Sequence, residues 1–178
     1  MIRIILTYGL ISGAAIILAS IATITLLNGH GSLWLGYLTM LVGLSAILVG
    51  VRQYRNEALG GVIRFWPALG LGLAIAVAAS LAYVAIWEVY LAATHYTFMD
   101  GYAASVLKAK RASGVSGAAY AKAVAEMDAM RQQYANPLYR LPMTFIEIFP
   151  VGVLVAIASA ALLRNPRFLP AHGRPVIA

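Results

Sequence analysis

There is no cysteine in these 178 residues, and charge is scarce: 13 Lys and Arg with 6 Asp and Glu make up 11% of the chain, against 62% apolar residues. Without cysteine there is no disulfide framework, no thiolate metal site and no thiol nucleophile, and the redox compartment is unreadable. A water-soluble domain keeps roughly a quarter of its residues charged, and a disordered chain is poor in large apolar residues. Both classes are excluded, which leaves a bilayer. Three His and six acids also fail to assemble a Ser-His-Asp order, a metal-ligand pair on one helix or a phosphate loop. The pair Gly70 and Gly72 lies within an apolar run and lacks the third glycine of a nucleotide fingerprint. The expectation is a protein that is not an enzyme, with no catalytic residue, metal or cofactor.

The net charge of +7 could in principle address nucleic acid or a membrane surface. The basic residues flank apolar runs and form no stripe with interleaved aromatics. Lipid head groups are therefore the expected partner, and nucleic acid is not.

The pattern predicts an all-α integral membrane protein with four transmembrane helices and an extracytoplasmic helical hairpin between spans three and four. Residues 1–98 hold the first three spans, at about 4–27, 33–51 and 65–95; the hairpin takes 99–141, span four 142–164 and a cytoplasmic tail 165–178. Ile4 to Leu27 carries no charge and exceeds the roughly 20 residues that cross a bilayer core. It also exceeds a secretory signal's apolar core of about 7 to 15 residues. Trp34 and Tyr37 open span two as an interfacial belt. Pro67 is tolerated in the first turn of span three, whereas Pro150 is expected to kink span four. The Asn28 to Ser32 loop has no Lys or Arg, while Arg3, Arg52, Arg55, Arg64, Arg164, Arg167 and Arg174 fall on one side. The rule that short cytoplasmic loops are basic then puts both termini inside.

In the hairpin, Ser116 is a plausible N-cap, and Tyr120, Ala123, Val124, Met127, Met130 and Tyr134 recur at helical spacing until Asn136 and Pro137 end the run. A first arm covers about Met99 to Ala112. The stripe has two readings. The arms bury it against each other or the membrane surface, or Tyr120, Met127 and Tyr134 receive a partner.

Glu88 and Glu147 are the intramembrane carboxylates, costly there unless paired or protonated. With His95 and Arg140 they form a candidate titratable or ligand-binding cluster. The competing reading has Glu88 snorkelling beside Trp87 and Glu147 as a buried acid bonded to a tyrosine or paired with an arginine. Small residues recur at Gly9 and Gly13, at Gly36, Gly43 and Gly50, and at Gly152, Ala156 and Ala160; they suit close helix packing within one bundle or a seam between copies. Arg52, Arg55 and Arg64 are candidate contacts to anionic head groups, or a solvated topology signal. The proline-bearing tail from Arg164 has no apolar period and reads as a loose end.

Two blocks carry a resemblance. Leu35-Gly36-Tyr37-Leu38 through Gly50, Arg52-Gln53-Tyr54-Arg55 and Leu59-Gly60-Gly61 form the first; Asn136-Pro137-Leu138, Thr144-Phe145-Ile146-Glu147-Ile148 and Pro150-Val151-Gly152 form the second. Together they resemble the family called domain of unknown function 4199, over nearly the whole chain. The alanine-rich hairpin departs from it. The resemblance implies a bacterial four-span inner-membrane protein with an extracytoplasmic insert and implies no activity. Two functions are expected from different classes: a non-enzymatic envelope assembly or binding module with an envelope protein partner, or a homodimeric proton- or cation-coupled carrier using Glu88 and Glu147.

Overall fold

The structure, a computed structural model, describes residues 1–26 and 33–170. The Asn28 to Ser32 loop and the tail beyond Pro170, including Arg174, lie outside the described residues. The described elements are all helical: α1 (Ile2–Leu26), α2 (Leu33–Leu44), α3 (Ala46–Ala58), α4 (Phe65–Ala93), α5 (Phe98–Ala112), α6 (Gly117–Ala135) and α7 (Pro137–Leu163). Four segments are long and apolar enough to cross a membrane: Ile2–Thr25, Trp34–Ala58, Phe65–Ala93 and Pro137–Leu163.

The second of these joins α2 to α3 at Ser45, whose hydroxyl donates to the Val42 carbonyl at 2.6 Å while its N–H reaches Leu41 O and Val42 O. Such back-bonding competes with the regular ladder and marks the break between the two helices. The helix runs past Val51 to Ala58, seven residues beyond the apolar run. An apolar run measures the membrane-embedded part; the helix itself continues because Gln53 and Glu57 bond at i,i+4 and Arg55 is buried.

The last span likewise starts earlier than its apolar core, at Pro137 instead of about Pro142. Asn136 is responsible. It closes α6 as C-cap and opens α7 as N-cap, its side chain accepting from Leu138 N at 3.0 Å, with Pro137 pre-set in the first helical position. The helix continues through both Pro142 and Pro150.

α4 ends at Ala93, two residues short of His95, in a Schellman cap: Tyr96 N–H reaches Leu91 O at 2.7 Å and His95 N–H reaches Ala92 O at 3.1 Å. His95 takes the left-handed position, φ 53, with Tyr96 following at φ 58. α5 closes in the same way, with Gly114 at φ 86 in the left-handed place.

α4 lies between α1 and α7 and packs most heavily on both. Small residues allow that approach. A Cβ on Gly13 would meet Ala82 Cβ at 2.8 Å and Tyr83 N at 3.0 Å; one on Gly152 would meet Ala76 Cβ at 2.9 Å, and one on Gly72 would meet Ala156 Cβ at 3.0 Å. Ile16, Ile47, Ile75, Ile148 and Leu163 are fully buried at the centre. Outward, Leu10, Leu18, Leu41, Leu81, Val89 and Leu154 are exposed, an apolar exterior suited to lipid.

α5 and α6 follow one another through Ser113 to Ser116 and pack together, burying Met99, Ala103, Ala123 and Met127. α6 also leans on α7. Of the stripe, Ala123 and Met127 are buried, Tyr120, Val124 and Tyr134 are half-buried and Met130 is exposed.

Candidate functional site

The junction of α4, α6 and α7 gathers the most polar chemistry of the described residues. Glu88 stands near the end of α4, and Arg140 in the first turns of α7. Arg140 is 4% exposed. Its Nε–H donates to Glu88 Oε1 at 2.7 Å and one terminal nitrogen donates to Oε2 at 2.8 Å, the two-pronged geometry that the planar guanidinium favours. The other terminal nitrogen donates to Tyr134 O at 2.9 Å and to Ala135 O at 3.4 Å, the last carbonyls of α6. Helix ends leave such carbonyls without partners and carry partial negative charge, so a cation is favourable there. One side chain therefore fastens three helices.

Aromatic rings close over it. The guanidinium lies 5.0 Å from the Tyr96 ring centroid and 5.7 Å from that of Tyr134. Trp87 Nε1–H donates to the Tyr134 hydroxyl at 2.7 Å, stacks on Tyr90 at 5.2 Å and meets the edge of Phe98 at 4.9 Å. Burial, the largest cause, pushes the Tyr134 hydroxyl above its ordinary pKa, and the Glu88 charge adds to this; the Trp87 hydrogen bond, Arg140 and the Thr144 hydroxyl pull the other way.

Of the four residues in the expected cluster, the structure unites Glu88 with Arg140. His95 is exposed at the helix cap. Glu147 is exposed on α7, seven residues beyond Arg140 and so about 10 Å further along the helix. The packed stripe of α7 runs in steps of four, through Arg140, Thr144, Ile148, Gly152, Ala156 and Ala160, all buried. That ridge drifts around the helix and leaves position 147 beside it. Among the described residues no three His, Asp or Glu side chains converge as a metal site.

At the other end, the three expected head-group arginines differ in placement. Arg64 is exposed and Arg52 half-buried, its Nε–H donating to Leu169 O at 3.3 Å. Arg55 is fully buried and faces no lipid. It donates to Phe168 O at 2.9 Å, to Leu169 O and to Leu163 O, while its Nε–H reaches Asn56 Oδ1 at 2.9 Å. Residues 164–170, expected to be a loose end, are held at the C-terminus of α7 by this one guanidinium. No sequence signal marked Arg55 for that role, because its acceptors are backbone atoms more than a hundred residues away.

The expected partner face is occupied within the chain. Tyr120 stacks under Arg111 of α5 at 4.5 Å, Met127 is buried between the arms, and Tyr134 is bonded to Trp87. Unforeseen from the sequence is the ion pair between the arms, Arg131 to Asp100 at 3.1 Å, with Asp128 at 3.5 Å.

Four membrane-capable helices around a small-residue core, fastened at one end by a buried ion pair, make this an all-α bundle with the architecture of a multi-pass membrane protein. The chain belongs to the family described as protein of unknown function (DUF4199), whose match covers residues 7–165, as the two sequence blocks imply. Neither a curated protein nor a solved structure matches it.

Proposed function

We propose that this chain is a non-enzymatic module of a bacterial inner membrane, with both termini in the cytoplasm, whose α5–α6 hairpin stands outside the membrane and docks an envelope protein. The observation that carries this reading is the triple attachment of Arg140. Its bonds to Glu88 on α4 and to the final carbonyls of α6 hold the hairpin to the bundle at a set angle. A rigidly mounted hairpin keeps its ordering cost low when it binds. With Ala123 and Met127 turned inward, it offers a solvent face of Lys122, Glu126, Asp128, Gln132 and Gln133 among alanines.

The orientation is supported by the basic short loop, whose Arg52 and Arg55 bond to the segment that carries Arg164 and Arg167; the hairpin's own Lys and Arg lie in a long segment, to which the charge rule applies weakly. A coupled carrier needs Glu88 and Glu147 to titrate together, but Glu88 is engaged by Arg140 and Glu147 lies along the helix from it.

Because the chain lacks cysteine, single cysteines test the reading directly. In intact cells Ala125→Cys should react with a membrane-impermeant maleimide and Ala58→Cys should not. A photo-crosslinker at Lys122 or Gln132 should give one discrete adduct. Labelling at Ala58 alone reverses the orientation, and proton uptake into proteoliposomes that Glu147→Gln abolishes would replace the module with a carrier.

A further inference from the structure

A cavity of about 350 Å³ opens where the hairpin meets the bundle, walled by Leu91, Tyr96, Asp100, Arg131, Tyr134 and Arg140 among others. It is a different place from the solvent face of the hairpin, and its chemistry is specific. The two guanidinium groups are already balanced by carboxylates, Arg140 by Glu88 and Arg131 by Asp100 and Asp128, so the wall presents both signs and suits a zwitterion. Arg140, almost wholly buried, has its donors directed at Glu88 and the α6 carbonyls and supplies field at the wall. Arg131 pairs through its terminal nitrogens with Asp100 and Asp128, while its Nε–H is buried and donates to nothing. Folded proteins rarely leave such a donor without an acceptor. Tyr96 and Tyr134 add aromatic rings, on which cations rest favourably.

The level of the cavity is equally telling. Leu91 is in the last turn of α4, one turn beyond Trp87 and next to Tyr90; Tyr96 and Tyr134 line the cavity with it, and Phe98 packs on Trp87. Tryptophan and tyrosine collect where a bilayer's head groups lie. A phosphodiester at this height would be a suitable acceptor for an unused arginine donor, and guanidinium is the side chain best shaped for it.

We propose that this cavity holds the head group of a zwitterionic phospholipid, the phosphate on Arg131 and the primary ammonium between the Asp100 carboxylate and the tyrosine rings. This requires the Arg131 side chain to turn its Nε–H, buried in the free protein, toward the phosphate and to loosen its pairing with Asp100 and Asp128. Asp100, with its side chain 67% exposed, remains open to a second cation. The site would tie a lipid to the base of the hairpin.

The test uses the full chain purified from membranes and reconstituted in nanodiscs with equal phosphatidylethanolamine and phosphatidylglycerol, with bound lipid read by native mass spectrometry. The wild-type protein should retain phosphatidylethanolamine preferentially. Arg131→Gln should weaken that retention about tenfold, the loss of one charge-assisted hydrogen bond. Asp100→Asn should keep lipid bound and lose the preference for the ammonium head group. Equal retention by Arg131→Gln and wild type, or an Asp100→Asn preference unchanged, overturns the proposal. The source of the phosphate is settled by adding phosphoethanolamine or inorganic phosphate to lipid-depleted protein. A rise in Tm as large as that produced by the lipid would assign the site to a soluble ligand instead.

Discussion

Glu88 and Arg140, 52 residues apart, meet through two parallel hydrogen bonds of 2.7 and 2.8 Å, and the same guanidinium closes the end of α6. Removing one partner of a buried pair strands the other charge, at a cost of about 3–5 kcal/mol. Arg140 also donates to Tyr134 O and Ala135 O, so its removal loses contacts that Glu88→Gln leaves in place. Arg140→Met should therefore lower stability more than Glu88→Gln, and the double change Glu88→Leu with Arg140→Met should cost less than the sum of the singles. Denaturation in detergent, arranged as a double-mutant cycle, checks this. Strict additivity would show that the pair is not coupled.

Arg55 is predicted to act as a clamp on residues 164–169. Arg55→Ala removes hydrogen bonds to three carbonyls, and a charged donor's bond contributes about 1.5–3 kcal/mol. Trypsin should then cut after Arg164 and Arg167 at least about tenfold faster, since 1.4 kcal/mol is a factor of ten. Arg55→Lys should rescue little, because an ammonium on a flexible stem cannot reproduce the planar fork.

Glycines that look alike in sequence should respond differently. A Cβ on Gly13 runs into the backbone of α4, so Gly13→Ala should destabilise the bundle by forcing two helices apart. Gly70 has nothing within 4 Å of a built Cβ, so Gly70→Ala should stabilise by about 0.5–1 kcal/mol through helix propensity. Thermal melts of the two variants should move in opposite directions.

His95 and Gly114 occupy the same place in two equivalent helix caps. The left-handed conformation costs a side chain roughly 1–2 kcal/mol. His95→Gly should raise Tm, and Gly114→Ala should lower it. If His95→Gly is neutral, the imidazole compensates its own strain by a contact.

The Tyr134 hydroxyl has a folded pKa above its unfolded value, so its contribution to stability is complete below about pH 10 and is lost as pH rises through the folded pKa. Tyr134→Phe should abolish that alkaline loss while leaving Trp87 Nε1 without its acceptor, lowering stability at neutral pH by about 1–3 kcal/mol. A pH series of denaturation midpoints separates the two effects.

The four apolar spans were legible from local chemistry, whereas the stripe of α6 allowed two readings. Ile4 to Leu27 shows its length directly, Ser116 sits at the start of α6, and Asn136 with Pro137 marks a boundary because an Asn cap followed by proline suits a helix's first turn. What escaped was the use of each boundary. That Asn136 both ends α6 and begins α7 depends on the direction the chain takes after the turn. Glu88, Glu147 and Arg140 were flagged together, but the sequence does not say which carboxylate Arg140 meets, since positions 140 and 147 return to nearly the same face of an ideal helix. The observed contact ridge advances in fours, and that is a property of two packed surfaces.

Composition alone determined the solvent of this protein. So few charges and so many apolar residues cannot be hidden inside a water-soluble fold of this size, and backbone hydrogen bonding in lipid then requires helices or a closed barrel. Tertiary structure decided which charges meet. Arg140 turns to Glu88, Arg55 turns to carbonyls of the distant C-terminal segment, and Glu147 stands apart, because ion pairing in a poorly solvated interior acts over a few ångströms and those separations exist only once α4, α6 and α7 have packed.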